Sequence, residues 1–170
     1  MKTSKQQRTI GAIVKVPLEK GFYRYGRILQ GTSFAFYDIR SKEGQIDLAK
    51  IVSSPVLFII SVSNYAVTDG RWAKIGKLPL EKEFDFLPPR YTQDLLSPDK
   101  FKIIYSNGTV KQATRKECSG LERFAVWQPQ QVEERLSDYF AGRKNRHLEQ
   151  LNSDDSLAEQ LPKHKQKIAV

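Results

Sequence analysis

The 170-residue chain reads as mainly β (α+β), a curved antiparallel sheet or partly open barrel followed by a C-terminal helix. Three observations predict this. Over the first ~125 residues, short β-branched and aromatic runs alternate with glycine and other turn residues. An Asn-Gly pair at 107–108 joins two such runs. A clear 3.6-residue apolar period comes only late, after Pro129.

The first strands are expected at Ile13–Leu18, Phe22–Leu29 and Ser33–Ile39, divided by Gly21 and Gly31. Val56–Val67 is too β-branched to favour a helix and is expected to be a longer strand. Asp69-Gly70 marks a turn, with a further strand at Arg71–Lys77. The stretch from Pro79 to Pro98 holds prolines at 79, 88, 89 and 98 among acidic residues, and reads as irregular, with room for a short strand or helical turn. Phe101–Tyr105 and Thr109–Ala113 then flank Ser106-Asn107-Gly108, the clearest hairpin in the chain.

The helix starts at Pro129, where a missing N–H costs nothing, and Gly142 supplies a stop. Val132, Leu136, Tyr139 and Phe140 share one face of it. A weaker helical pattern runs through Leu148 and Leu151. The domain organisation expected is a basic extension over 1–9, one β-rich domain with its C-terminal helix over 10–151, and a polar tail over 152–170.

Composition narrows the function classes. The chain carries 9 Phe, 7 Tyr and 2 Trp with 39% hydrophobic residues, which is globular and excludes a wholly disordered chain. A single cysteine, Cys118, excludes an intrachain disulfide and a cysteine-cage zinc site, and is expected to pack as a small hydrophobe. The longest apolar run, Pro55–Ile60, falls far short of the ~18 residues of a membrane span. No secretory signal is evident, so a cytoplasmic protein with no membrane partner is expected. The net charge is +9, concentrated at Lys2, Lys5, Arg8, Lys15 and Lys20 and around Lys111, Arg115 and Lys116. Such a field attracts nucleic acid, acidic proteins or anionic membrane surfaces and by itself does not choose among them.

Motifs for chemistry fail on inspection. Gly70 to Leu78 has the look of a phosphate loop, but five residues separate Gly70 from Gly76, and Leu78 stands where a hydroxyl would hold magnesium. Lys20-Gly21-Phe22-Tyr23-Arg24-Tyr25 partly resembles an RNA-recognition motif, with Arg24 where an aromatic is needed. Tyr23, Tyr25, Phe34, Phe36 and Trp72 are expected to fill the core instead. The only histidines, His147 and His164, lie in the late polar segment, so no hydrolytic set, metal site or cofactor site can be assembled. The residues lean against an enzyme and leave that question open.

Taken as an ordered string, several segments resemble the immunity protein 26 family of bacterial polymorphic-toxin systems. They are Val16-Pro17-Leu18, Gly21, Tyr25-Gly26-Arg27-Ile28-Leu29 and Ala35-Phe36-Tyr37-Asp38. Pro55-Val56-Leu57-Phe58, Gly70-Arg71-Trp72, Gly76, Pro79-Leu80, Pro88 and Gln93-Asp94 continue the string, and Trp127 with Val132–Leu136 closes it. The resemblance covers roughly residues 10–140. It implies a protein that binds and neutralises a cognate toxin without catalysis. It supplies no catalytic residues, although some relatives carry a phosphotriesterase label. A nucleic-acid-binding β module and a phosphotriesterase-type hydrolase are the alternatives.

For a toxin binder, +9 favours a partner with an acidic exposed face. The proline-rich segment is a candidate for part of the interface, because prolines limit the entropy lost on docking; the alternative is a loop that wraps the barrel and buries its aromatics within the domain. Phe84, Phe86, Arg90 and Tyr91 offer anchors of the favoured types, with Arg71 and Lys74 as rim charges.

Overall fold

The computed structural model describes residues 4–42 and 46–152. Its elements are β1 (Ala12–Pro17), β2 (Phe22–Ile28), β3 (Ser33–Lys42), α1 (Leu48–Val52), β4 (Val56–Val62), α2 (Tyr65–Thr68) and β5 (Ala73–Lys77). β6 (Arg90–Gln93), β7 (Phe101–Ile104), β8 (Val110–Ala113), β9 (Glu122–Arg123), β10 (Val126–Trp127), α3 (Pro129–Phe140) and α4 (Arg146–Asn152) follow. The fold is therefore mainly β with a C-terminal helix. Its strands divide between two open, mixed sheets, in the orders β10-β4-β3-β2-β1-β5 and β8-β7-β6-β9. The described residues group into two compact units, 4–84 with 125–143 and 85–124 with 144–152.

The first unit is an antiparallel meander, β1 to β4, with β5 added beside β1 and β10 lying parallel to β4. Its central strands are covered on both faces. One face packs Ile13, Tyr25 and Tyr37 against Ile51 of α1, a helix whose N-terminal amide at Ala49 is capped by Asp47. The other holds Phe34, Phe36, Phe58 and Trp72, with the Trp72 ring edge-on to Phe34 and Phe36 at 5.8 and 5.7 Å. Trp72 is completely buried, as expected, although the strand expected from Arg71 begins only at Ala73 and leaves the indole just before it. Gly26 pairs with Phe36 across the ladder, where a Cβ would stand 3.0 Å from the Phe36 ring. Glycine lets the Phe36 ring approach the β2 backbone closely beside a bulge in the ladder.

Arg27 is fully buried in this sheet because three carbonyls receive it. Its Nε donates to Gly11 O at 2.9 Å, and its Nη2 to Leu78 O and Pro79 O at 2.8 Å each. The arginine thereby pins the segment leaving β5 to the start of β1. Gln6 and Arg8 are likewise tied in, through Val67 O and Trp72 O for the amide and Leu29 O and Ser33 O for the guanidinium.

The long strand expected at Val56–Val67 ends at Val62. Ser63 turns its N–H to Trp127 O, and Asn64 O accepts from Val67 and Thr68, which starts α2. A backbone bond to a residue distant in sequence and the turn at Asn64 together override the β-branched composition. The turn closes at Gly70, with φ of 75°. Helix α3 begins at Pro129 and stops before Gly142, where φ is 67°. Val132 and Leu136 are buried, while Tyr139 and Phe140 are 51% and 41% exposed.

In the second unit β6, β7 and β8 form a second meander, with β9 parallel to β6. β7 and β8 are the expected hairpin. Only Gly108, at φ 84°, takes a positive value, and Gly108 N–H bonds back to Tyr105 O. This is the three-residue loop ending in a left-handed glycine, not the two-residue form with both central residues left-handed. Tyr91, Phe101, Ile103 and Cys118 make the small core, with Cys118 packed as a hydrophobe. α4 is tied down by Tyr91 Oη donating to Asn152 Oδ1 at 3.0 Å and by Arg123 Nη1 donating to Leu151 O at 2.7 Å. Beyond Asn152, the expected polar tail lies outside the described residues.

Candidate functional site

The six residues singled out from sequence fall in different settings. Arg71 grips Glu133 of α3 with two hydrogen bonds, Nε–Oε1 at 2.7 Å and Nη2–Oε2 at 2.6 Å. Glu133 also accepts from Trp72 Nε1 at 2.8 Å, so Arg71 helps fasten α3 over the indole. The hydrogen bonds to Glu133 hold the Arg71 pKa above its ordinary value. Lys74 donates from Nζ to Thr9 Oγ1 at 3.2 Å. Phe84 is buried in a short 3-10 turn, Lys82–Asp85.

Phe86, in the second unit, is 77% exposed. Arg90 and Tyr91 are buried, because the proline-flanked Arg-Tyr-Thr-Gln stretch becomes the interior strand β6, between β7 and β9. Burial lowers the Arg90 pKa and raises that of Tyr91, and the Arg90 guanidinium lies 5.7 Å from the Phe124 ring centre. A cavity of about 720 Å³ opens beside this strand, floored by Phe101 and Cys118 and edged by Arg115, Leu148 and Asn152. Burial, with Glu117 adding to it, pushes the Cys118 thiol up, which makes it a poor nucleophile. Among the described residues, no three His, Cys, Asp or Glu side chains converge to hold a metal ion. No helix among them is long and apolar enough to cross a membrane.

A different group of side chains converges in the first unit. β2 and β3 run antiparallel with Phe22 opposite Lys42 and Arg24 opposite Arg40, so their ends place cations and a ring side by side. The end of α3 brings Tyr139 and Phe140 onto them. The Arg40 guanidinium carbon lies 3.1 Å from the centre of the Phe140 ring and 4.7 Å from that of Phe22, and the two rings are 6.1 Å apart. Arg24 lies 5.5 Å from Tyr139 and 5.2 Å from Phe140, and Lys42 Nζ is 5.8 Å from Phe22.

Among the described residues, Asp38 is the carboxylate joined to the group: Arg24 Nη1 donates to Oδ1 at 3.1 Å and Tyr139 Oη to Oδ2 at 3.3 Å. Arg24 is buried, whereas Asp38, Arg40, Lys42 and Tyr139 are exposed. Sequence reasoning missed this cluster. The available signal was the alternation that sets Phe22 and Arg24 on one face of β2, together with two aromatics ending a helix whose buried turns precede them.

A family model for immunity protein 26 matches residues 9–102. The chain belongs to the immunity protein 26 family. The match runs from before β1 into β7 and includes Phe22, Arg24, Asp38, Arg40 and Lys42. Trp127 and Val132–Leu136, which the sequence comparison had joined to the family pattern, lie outside the matched residues. No curated protein and no solved structure matches the chain. Membership assigns this immunity protein 26 chain an immunity function in general terms, and with it the binding of a cognate toxin.

Proposed function

We propose that this immunity protein neutralises a bacterial polymorphic toxin in the cytoplasm by direct, stoichiometric binding, without altering the toxin covalently. The toxin meets it through an acidic exposed face. The family match carries the reading. A net charge of +9 supports an acidic partner, because opposite charge speeds encounter and rejects basic surfaces. The binding mode is supported by the state of the reactive groups: Cys118 is buried with its thiol pKa raised, and Glu133 is occupied by Arg71 and Trp72.

The test is to mix the purified chain with the toxin encoded beside its gene, over a range of ratios. Inhibition is expected to saturate at a fixed molar ratio. Toxin recovered by unfolding and separating the complex is expected to keep its mass and full activity. Complete inhibition at a small fraction of an equivalent, or a changed toxin mass, would replace binding by an enzymatic mechanism.

A further inference from the structure

We infer that the docking centre of this chain is the arginine–aromatic cluster at the end of its six-stranded sheet. Phe22, Arg24, Arg40, Lys42, Tyr139 and Phe140 form it, and its occupant is a toxin surface that presents clustered carboxylates beside a flat apolar residue. The inference rests on the toxin-binding reading and adds to it the surface and the chemistry of the partner.

Three features carry it. The first is composition: arginine and tyrosine are the residue types that dominate binding energy at protein interfaces, and Arg40 and Tyr139 are the exposed members of this cluster of those types. The second is preorganisation. Arg40 is held against two rings and Arg24 is buried against Asp38, so neither long side chain has much freedom left to lose on docking. Phe140 lies over the Arg40 guanidinium at 3.1 Å, and the planar fork of an exposed arginine takes a carboxylate with two hydrogen bonds.

The third is charge. Among the described residues, Asp38 is the carboxylate joined to Arg24, and it is already engaged by Arg24 and Tyr139. Among the described residues, no carboxylate lies within ion-pair distance of Arg40 or Lys42. An acidic partner completes that pair. The family match favours a protein partner over nucleic acid at this patch.

The experiment uses the full chain, the purified toxin encoded beside its gene, and three variants: Arg40→Glu, Tyr139→Ala and Lys50→Glu. Lys50→Glu makes the same charge reversal at an exposed site on α1. All three alter exposed side chains and are expected to melt with the wild type. Arg40→Glu is expected to weaken toxin binding about thirtyfold or more, and Tyr139→Ala roughly tenfold. Lys50→Glu is expected to change it less than about threefold. Wild-type affinity in both Arg40→Glu and Tyr139→Ala, while the wild type binds, would overturn the surface and leave the immunity reading standing. Equal losses in Arg40→Glu and Lys50→Glu would also overturn it, since net charge alone would then explain binding. Tight, salt-sensitive binding of an arbitrary oligonucleotide that Arg40→Glu abolishes would reassign the patch to nucleic acid. Failure of the wild type to bind or inhibit the toxin removes the reading beneath both.

Discussion

The two sheets solve the same problem at different scales. In the first unit, β2 from Arg24 to Ile28 and β3 from Ser33 to Tyr37 are buried, and Ile13, Tyr25, Phe34, Phe36 and Trp72 are sealed from solvent. In the second, a four-stranded sheet closes over Tyr91, Phe101, Ile103 and Cys118, all of which keep some exposure, and a cavity opens beside them. Burial scales with the number of layers a sheet can gather, so the smaller sheet has less apolar area to set against chain entropy. The larger sheet can therefore hold charged groups in fixed positions at its end. The smaller one depends on hydrogen bonds from Tyr91, Arg115 and Arg123 to the last residues of α4.

That contrast can be broken or sharpened by substitution. The largest effect is expected for Trp72→Ala, which empties a completely enclosed site and frees Glu133 from the indole N–H. It should cost ~3–5 kcal/mol in denaturant melts, and a loss below ~1 kcal/mol would contradict the packing of the first unit. Phe101→Ala removes the central ring of the second core beside an existing cavity, whose walls can relax. A loss of ~2–3 kcal/mol is expected, smaller than at Trp72, measured by hydrogen exchange of the β6 and β7 amides. A loss equal to that at Trp72 would erase the difference between the units.

Gly108→Ala forces a side chain onto a backbone at φ 84°, although the space around it is open. About 1 kcal/mol of destabilisation is expected from strain alone. The smallest effect is on pH dependence. The backbone N–H groups of Ser97 and Leu96 hold the exposed Asp94 carboxyl below its ordinary pKa. Its contribution is full above the unfolded value of ~3.9 and is lost as pH falls through the lower folded value. An NMR titration should place the Asp94 midpoint below that of Asp in an unfolded peptide, and the acid side of the stability curve should flatten in Asp94→Leu. An Asp94 midpoint at the peptide value would remove the effect.

Much of the fold was legible because its signals are local. Alternation and β-branching marked β1 to β3, Pro129 and Gly142 bracketed α3, and Asn107-Gly108 marked the hairpin. The misreading of Val56–Val67 arose where a hydrogen bond from Ser63 to Trp127, distant in sequence, combined with a local Asn64 turn to end the strand. The candidate interface was harder to see. Arg90 and Tyr91 have the composition of binding anchors, yet partners at β7 and β9 turn that segment into an interior strand. Phe22, Arg24 and Arg40 look unremarkable along the chain until the β2–β3 register and the end of α3 bring them together.

The sequence by itself determined the β class, the turns, the late helix, the basic charge and the family, since each depends on residue type, short-range periodicity or ordered spacing. Only the tertiary structure decided that there are two open sheets, that Arg27 is sealed inside one of them, and that Arg40 lies against Phe22 and Phe140. Those outcomes depend on contacts between residues up to about a hundred positions apart, as for Arg40 and Phe140. Strand register and helix packing set such contacts, and no local pattern of residue types encodes them.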